Sequence, residues 1–217
     1  MIRHATKHCL YIWLLLFIFS ACVKLDRPSV EKHFYDLEVV RPEKNPGRTL
    51  NAVIMVQRLS ISPRFAGREL VYKPDPYSLE SDFYNLFFIP PAEMLTQDLK
   101  AWLERSGIFS RVVGSSSLAP SDYILEGTVN ALYGDYTQEQ ASAVVKMEFF
   151  LMDDTLPERH ILFSKAYTRT IPIPSPSPKA LIKGLSEAVG EGFAQLEKDL
   201  RGAAQREGNH TKTQSRR

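Results

Sequence analysis

Cysteine is almost absent from this chain of 217 residues. The only two cysteines, Cys9 and Cys22, lie within the first 22 residues, ahead of every segment whose pattern predicts a folded element. The rest of the chain can therefore form no disulfide, and it offers no cysteine nucleophile and no thiolate metal ligand. Its stability and function must come from other side chains.

The chain also lacks a hydrophobic run that could cross a membrane. Its longest apolar stretch, from Leu10 to Phe19, has about 10 residues, whereas a spanning helix needs about 20. Basic residues precede this stretch, and the small pair Ser20-Ala21 separates it from Cys22. This order is typical of a bacterial lipoprotein signal peptide, so we predict that residues 1–21 are removed and that Cys22 is acylated. The alternative, a simple transmembrane anchor, is disfavoured by the short length.

Acylation of Cys22 would hold the mature chain on a membrane that it does not span. Each buried CH₂ contributes about 0.8 kcal/mol, so two or more acyl chains, palmitate among them, give stable anchoring. Residues 22–32 are predicted to be the tether between the lipid and the domain. Val23 occupies the second mature position, where an aspartate commonly signals retention in the inner membrane. We therefore expect the periplasmic face of a bacterial membrane, with the outer membrane favoured over the inner.

Charge of one sign is not in excess. The chain has 27 basic and 25 acidic residues, and two of the basic ones lie in the signal, which leaves 25 of each in the mature chain. This balance predicts no nucleic-acid partner. The last seventeen positions hold five basic residues and one acidic residue. Because this stretch is also poor in apolar residues, residues 201–217 are predicted to be a disordered basic tail.

The hydrophobic pattern predicts a single α+β domain over residues 33–200. Alternation from Tyr123 to Tyr133 and from Ala143 to Leu151 predicts a long hairpin, and a third antiparallel strand is expected over about 160–170. Further strands are predicted over 33–40, 50–59, 69–73 and 108–113.

Two helices complete the predicted fold. The first is expected to begin at Pro90-Pro91 and to end at Gly107, because proline suits the first turn of a helix and glycine suits its C-terminal cap. The second follows Ser177 and carries an apolar stripe at helical spacing: Leu181, Leu185, Val189, Phe193, Leu196 and Leu200. We therefore expect an antiparallel or mixed β-sheet with two helices packed on one face.

Residues for catalysis are scarce. The mature chain has three histidines, His33, His160 and His210, and none of them lies in a recognisable catalytic pattern. The chain has no Gly-x-Ser-x-Gly, no His-Glu-x-x-His and no phosphate-binding glycine loop. The adjacent carboxylates Asp153-Asp154 fit a solvated turn better than a cation site. We predict that the chain is not an enzyme and holds no metal or cofactor.

Aromatic residues, by contrast, are concentrated before the first helix. Five of them fall within the twelve positions 77–88: Tyr77, Phe83, Tyr84, Phe87 and Phe88. Phe83 and Phe87 are expected in the core. Tyr77, Tyr84 and Phe88 are predicted to be exposed and to contact a partner or its lipid, with Arg64 and Arg68 on the preceding link adding polar contacts, because exposed apolar patches usually mark interaction sites.

Several segments, in order, resemble the ABC-type transport auxiliary lipoprotein family. They follow the lipoprotein signal and include Ile61–Tyr72, Pro91–Leu95, Leu103–Phe109 and Tyr123–Gly127. The resemblance covers about residues 35–200. It departs from the family where a tryptophan often precedes the first helix, since this chain has Phe87-Phe88 there.

The resemblance implies a non-catalytic accessory subunit of an Mce-type ABC transport system, which moves lipids or hydrophobic compounds between membranes. Its implied partners are a substrate-binding protein with an Mce domain, an ABC permease and an ATPase. Two alternatives stay open: an outer-membrane assembly or regulatory lipoprotein acting on a β-barrel or cell-wall synthase, and a lipid or peptidoglycan hydrolase. The sequence leaves the oligomeric state open, a homo-oligomer included, together with the cargo and the direction of transport.

Overall fold

The computed structural model describes residues 31–42, 49–155, 158 and 160–214, with side chains described up to Ala203. The predicted signal peptide, the predicted acylation site Cys22 and the tether up to residue 30 lie outside the described residues. Lys32–Arg217 form one unit, to which every element below belongs.

The described residues form nine strands, two α-helices and a short 3₁₀ turn at Pro63–Phe65. The strands are β1 (His33–Tyr35), β2 (Leu50–Val56), β3 (Ser60–Ile61), β4 (Glu69–Lys73), β5 (Glu80–Phe87), β6 (Phe109–Gly114), β7 (Tyr123–Asp135), β8 (Ser142–Asp153) and β9 (His160–Pro172). The helices are α1 (Pro91–Ser106) and α2 (Pro178–Gln214).

The long strand β7 organises the sheet. On one side it pairs antiparallel with β8, which pairs antiparallel with β9. On the other side it pairs in parallel with three strands in turn, β2, β3 and β4. Strand β6 lies beyond β2, while β5 and then β1 lie beyond β4. The predicted hairpin and the mixed sheet are therefore confirmed.

The helices cover one face of the sheet, as the sequence predicts. The residues of the apolar stripe of α2 are all buried. Phe193 in this stripe contacts Trp102 of α1 and Phe149 of β8, with ring centroids 5.9 and 6.5 Å apart. A Cβ atom on Gly184 would lie 2.6 Å from the Ile173 side chain, so the helix can approach the sheet this closely only with glycine at that position.

The helix caps also agree with the sequence. Helix α1 ends at Gly107, whose φ of 63° is left-handed and therefore favours glycine. Helix α2 begins after Ser177, whose side-chain oxygen accepts a hydrogen bond from the Ala180 amide at 3.4 Å.

The first strand is shorter than predicted. The sequence indicates strand over residues 33–40, but β1 ends at Tyr35. Residues 36–42 leave the sheet and run along α2, where the Glu38 amide donates to the Ser186 hydroxyl at 3.1 Å. Leu37 is buried, although it lies outside the sheet in the segment that runs along α2.

The second helix is longer than predicted and includes most of the stretch predicted as the basic tail. Helix α2 continues past Leu200 to Gln214, so most of residues 201–217 have helical backbone. The stretch contains no proline, and alanine, glutamine, arginine and glutamate within it favour helix. The few apolar residues in this stretch predict no buried helix face, but its residue types still favour a helical backbone.

Candidate functional site

A bulge in strand β5 shapes the edge of the sheet. Glu69 of β4 pairs with Leu86, but the next residue, Leu70, pairs with Asp82. Residues 83–85 therefore have no partner on β4. Bulges of this kind re-aim side chains and are often found beside functional sites. Here the bulge carries the aromatic pair Phe83 and Tyr84.

The carboxylate of Asp82 holds the bulge in place. Its Oδ1 accepts hydrogen bonds from the backbone amides of Tyr84 and Asn85, at 2.9 and 3.0 Å. Its Oδ2 accepts from the Tyr72 hydroxyl and from the Asn85 side-chain amide, both at 2.8 Å. The Tyr35 hydroxyl in turn donates to Asn85 Oδ1 at 2.9 Å. The bulge is thus fixed from β1, β4 and β5 together.

Protonation equilibria around Asp82 favour the same arrangement. Burial alone would raise the pKa of Asp82, but the hydrogen bonds from Tyr72, Tyr84 and Asn85 outweigh it and lower that pKa. Burial and the bond to Asp82 raise the pKa of Tyr72 well above its ordinary value. Asp82 therefore stays an anionic acceptor and Tyr72 a neutral donor.

A second tyrosine, Tyr136, packs against Tyr72 of this network. The ring of Tyr136 stacks on Tyr72 with centroids 5.3 Å apart. Burial, with a smaller contribution from the charge of Asp82, raises the pKa of Tyr136 to about 12. A Cβ atom on Gly134 would lie 2.9 Å from the Tyr136 ring, so glycine leaves the space that this ring fills.

Four aromatic side chains are exposed around the bulge. The exposed fractions are 52% for Phe34, 62% for Phe83, 45% for Tyr84 and 64% for Phe88. Phe34 lies on the edge strand β1, aligned with Leu86 of β5. The Phe88 amide donates to the Tyr35 carbonyl at 2.7 Å. These four residues, at the edge formed by β1 and β5, are called the aromatic surface below.

Two cations lie against the aromatic surface. The Lys32 ammonium is 4.0 Å from the centroid of the Phe83 ring. The Arg68 guanidinium is 5.2 Å from the centroid of the Phe34 ring, and its Nε donates to the Phe87 carbonyl at 2.9 Å. Both distances suit cation–π contacts. The surface therefore combines apolar rings with positive charge.

The structure separates the five residues that the sequence predicts as contacts. Arg68, Tyr84 and Phe88 belong to or adjoin the aromatic surface. Tyr77 is 99% exposed in the turn between β4 and β5, six positions before Phe83. Arg64 is exposed on the 3₁₀ turn after β3.

The turn that carries Tyr77 is ordered by one carboxylate. Asp75 Oδ1 accepts from the amides of Tyr77 and Ser78 at 2.8 and 3.1 Å, and its Oδ2 accepts from the Ser78 hydroxyl. These bonds lower the pKa of Asp75, the Ser78 hydroxyl most of all. An exposed tyrosine is thus presented on a defined backbone.

The two phenylalanines predicted for the core behave differently. Phe87 is buried, as predicted. The prediction for Phe83 is wrong, because the bulge turns it out of the sheet. Phe34, Lys32 and Asp82 are not predicted from the sequence as part of this site. The available sign was Phe34, an apolar residue that alternates out of phase with Tyr35 and Leu37 and so indicates an apolar side chain on the other face.

A different kind of cluster joins the two helices. Glu197 of α2 accepts two hydrogen bonds from Arg41, both at 2.9 Å, one from Trp102 Nε1 at 2.9 Å and one from Arg201 at 3.2 Å. Burial would raise the pKa of Glu197, but these donors outweigh it and lower that pKa. This cluster fixes residues 36–42 against the helices.

Beside this cluster, a groove of about 760 Å³ runs between residues 36–42 and α2. Both signs of charge line it: Lys179, Lys183, Glu187 and Glu191 on α2, and Asp36 and Glu38 on the segment opposite. Nearby on α1, Asp98 Oδ2 is buried and has no hydrogen-bond partner among the described residues. Burial, with the charge of Asp36, raises the pKa of Asp98 to about 6.

In the described part of the chain, no group of three or more histidine, cysteine, aspartate or glutamate side chains is placed to hold a metal ion. Within the same residues, no helix has the length and apolar character needed to cross a membrane.

Comparison with known proteins bears on the fold and the family. The sequence model of the ABC-type transport auxiliary lipoprotein component matches residues 35–197. No relative is detected among curated proteins.

Several solved structures share the fold. Protein XCC0632 from Xanthomonas campestris superimposes with a TM-score of 0.73 at 18% identity, covering 82% of this chain and 99% of that one. The hypothetical protein CT253 from Chlamydia trachomatis gives a TM-score of 0.52 at 8% identity, covering 71% and 98%. At such identities these likenesses show the fold alone.

Proposed function

Because the chain belongs to the ABC-type transport auxiliary lipoprotein family, we propose that it is a lipid-anchored, non-catalytic accessory subunit of an ABC transport system in a bacterial envelope. The observation that carries this proposal is the extent of the family match, residues 35–197, which begins in β1 and ends in α2. The match thus includes β2 to β9, all of α1 and the first half of α2, not one shared motif.

The proposed anchor is acylated Cys22, on the periplasmic face of the membrane and with the outer membrane favoured. The proposed partners are an Mce-domain substrate-binding protein, an ABC permease and its ATPase, in a system that moves lipids or other hydrophobic compounds. The resemblance of Ile61–Tyr72 and Leu103–Phe109 to the family supports this assignment.

Tyr77 is the residue we propose for the contact with the protein partner, with Arg64 as a second contact. Tyr77 is almost fully exposed, yet its turn is held by Asp75, so binding would cost little backbone ordering. Tyrosine and arginine are also enriched among residues that dominate binding energy.

Co-purification with the transporter tests the proposal. The full chain, tagged at its C-terminus, should recover the permease, the ATPase and the Mce-domain protein from detergent-solubilised membranes. Tyr77→Ala should weaken the recovery, by about 30-fold in affinity if Tyr77 contributes about 2 kcal/mol.

Leu118→Ala is the matched control, because Leu118 is equally exposed in the loop between β6 and β7. Recovery of a β-barrel assembly factor or a cell-wall synthase in place of the transporter would contradict the proposal and support the alternative stated above.

A further inference from the structure

The aromatic surface lies where the tether enters the domain. Phe34 is the second residue of β1, the first strand of the chain, and Lys32 directly precedes that strand. Phe34 lies twelve positions after Cys22, so even a fully extended tether allows only about 40 Å between them. Whatever membrane holds Cys22 is therefore within reach of this surface at all times.

The exposure of these rings is built into the fold. Four hydrogen bonds to Asp82 hold residues 83–85 away from β4, and with them the rings of Phe83 and Tyr84. A regular β5 would have paired these residues. Exposed apolar patches on soluble domains usually mark a site of contact with a protein or a membrane.

The place of the surface beside the tether, together with its composition, favours the membrane. Tryptophan and tyrosine are enriched at the membrane–water interface, and phenylalanine is common on the apolar side of segments that lie in that interface. Lysine and arginine beside them can reach anionic headgroups while their stems cover apolar surface. Lys32 and Arg68 lie directly on the rings of Phe83 and Phe34, and the nearby carboxylate of Asp82 is occupied by its four donors.

We infer that the aromatic surface rests on the headgroup region of the membrane that holds the lipid anchor. Phe34, Phe83 and Phe88 enter the interface, while Lys32 and Arg68 contact anionic lipid phosphates. Acyl chains alone leave the domain free to rotate on its tether. This second contact gives the domain one orientation, and it rests on the proposed lipid anchoring.

Tryptophan reporters test this inference in the full, processed chain. The natural tryptophans are Trp13, within the signal, and Trp102, which is buried beneath α2. Phe83→Trp and, in a separate variant, Phe88→Trp place a tryptophan on the aromatic surface. Leu118→Trp places one at a fully exposed loop position and is the control. Circular dichroism confirms that each variant is folded.

The acylated proteins are reconstituted on vesicles of phosphatidylethanolamine and phosphatidylglycerol whose acyl chains carry bromine near the headgroup. We expect the emission of both surface reporters to shift to shorter wavelength and to be quenched. The emission of Leu118→Trp should be the same on vesicles with and without bromine. Adding Lys32→Gln and Arg68→Gln to Phe88→Trp should reduce its quenching on these anionic vesicles.

Two results would overturn the inference, and they differ. In the first, the chain floats with the vesicles but its surface reporters are quenched no more than Leu118→Trp, so the chain is anchored without this contact. If the emission of those reporters then shifts to shorter wavelength only after the transporter is added, the surface is a protein interface. A chain that fails to float overturns the lipid anchor itself, and the inference with it.

Discussion

Two carboxylates in this protein, Asp82 and Glu197, each accept four hydrogen bonds, but their structural roles differ. The donors to Asp82 are neutral and lie within fourteen residues of one another along the chain, from Tyr72 to Asn85. The donors to Glu197 are two arginines and an indole, drawn from residues 41, 102 and 201. The first set shapes one edge of the sheet, and the second joins distant segments.

The comparison extends to the aromatic residues around each carboxylate. Beside Glu197, the rings of Trp102 and Phe193 are buried and contact each other. Beside Asp82, the rings of Phe83 and Tyr84 contact each other but are exposed. Similar residue types therefore build a core in one region and an exposed surface in the other. The deciding factor is what each carboxylate holds in place.

Removing Glu197 should have the largest effect on folding. In Glu197→Ala the Arg41 guanidinium, whose side chain is 6% exposed, would lose its partner. Breaking a buried ion pair costs about 3–5 kcal/mol of unfolding free energy. Denaturant melts of Glu197→Ala and of the natural protein measure this loss.

Glu191→Ala, on the same helix, is the control. Its ion pair with Arg169 is half exposed, so the loss should stay within about 1 kcal/mol. Equal losses for the two variants would remove the distinction drawn for Glu197.

Removing Asp82 should have a smaller effect on stability and a specific effect on the surface. We expect Asp82→Ala to lose about 1–3 kcal/mol, since its donors are neutral and partly reached by water. In the Phe83→Trp background, it should also remove the quenching by brominated lipid, because the bulge is no longer held.

Asp75→Ala, which removes a similar carboxylate from the Tyr77 turn, should leave that quenching intact. If Asp82→Ala keeps full quenching, the bulge does not depend on Asp82.

Acid should weaken both carboxylate clusters. The pKa values of Asp82 and Glu197 are lowered in the folded protein. The stability that they contribute is complete above the ordinary carboxyl pKa of about 4 and is lost as the pH falls through the folded values. Urea melts between pH 7 and pH 3 should show this loss, and the Glu197→Ala variant should show a shallower one. A slope unchanged by that substitution would contradict the assignment.

Asp98 should give the smallest effect, and with the opposite sign. Its folded pKa of about 6 lies above the unfolded value of about 4, so the stability of the fold falls as the pH rises from about 4 to about 6 and stays lower above that. We expect Asp98→Asn to be more stable than the natural chain by about 1 kcal/mol at pH 8, since partial exposure screens the charge, and to gain nothing at pH 4.

Glu93→Gln, at an exposed position of the same helix, should change neither value. An equal gain for Asp98→Asn at both pH values would show that charge is not the cause.

Local signals in the sequence predict much of this fold. Alternation predicts β7 and β8, and Gly107 and Ser177 predict the helix ends, because each depends on neighbouring residues. The bulge could not be predicted, since Asp82 acts through Tyr72 and, by way of Asn85, through Tyr35 in another strand.

The prediction of a strand over residues 36–40 is wrong for the same reason. Leu37 and Val39 alternate as in a strand, but Ser186 and Glu197, about 150 residues later, draw the segment onto the helices. The exposed ring of Phe34 likewise depends on the strand pairing of β1 with β5.

The state of Cys22 tests the account most directly, because both the proposed function and the membrane contact need its acylation. The measurement is the intact mass of the protein extracted from membranes, beside that of Cys22→Ala. We predict a chain that begins at Cys22 and carries acyl groups, and a variant that is released from the membrane or keeps residues 1–21. A membrane-bound, normally processed Cys22→Ala protein would contradict the account.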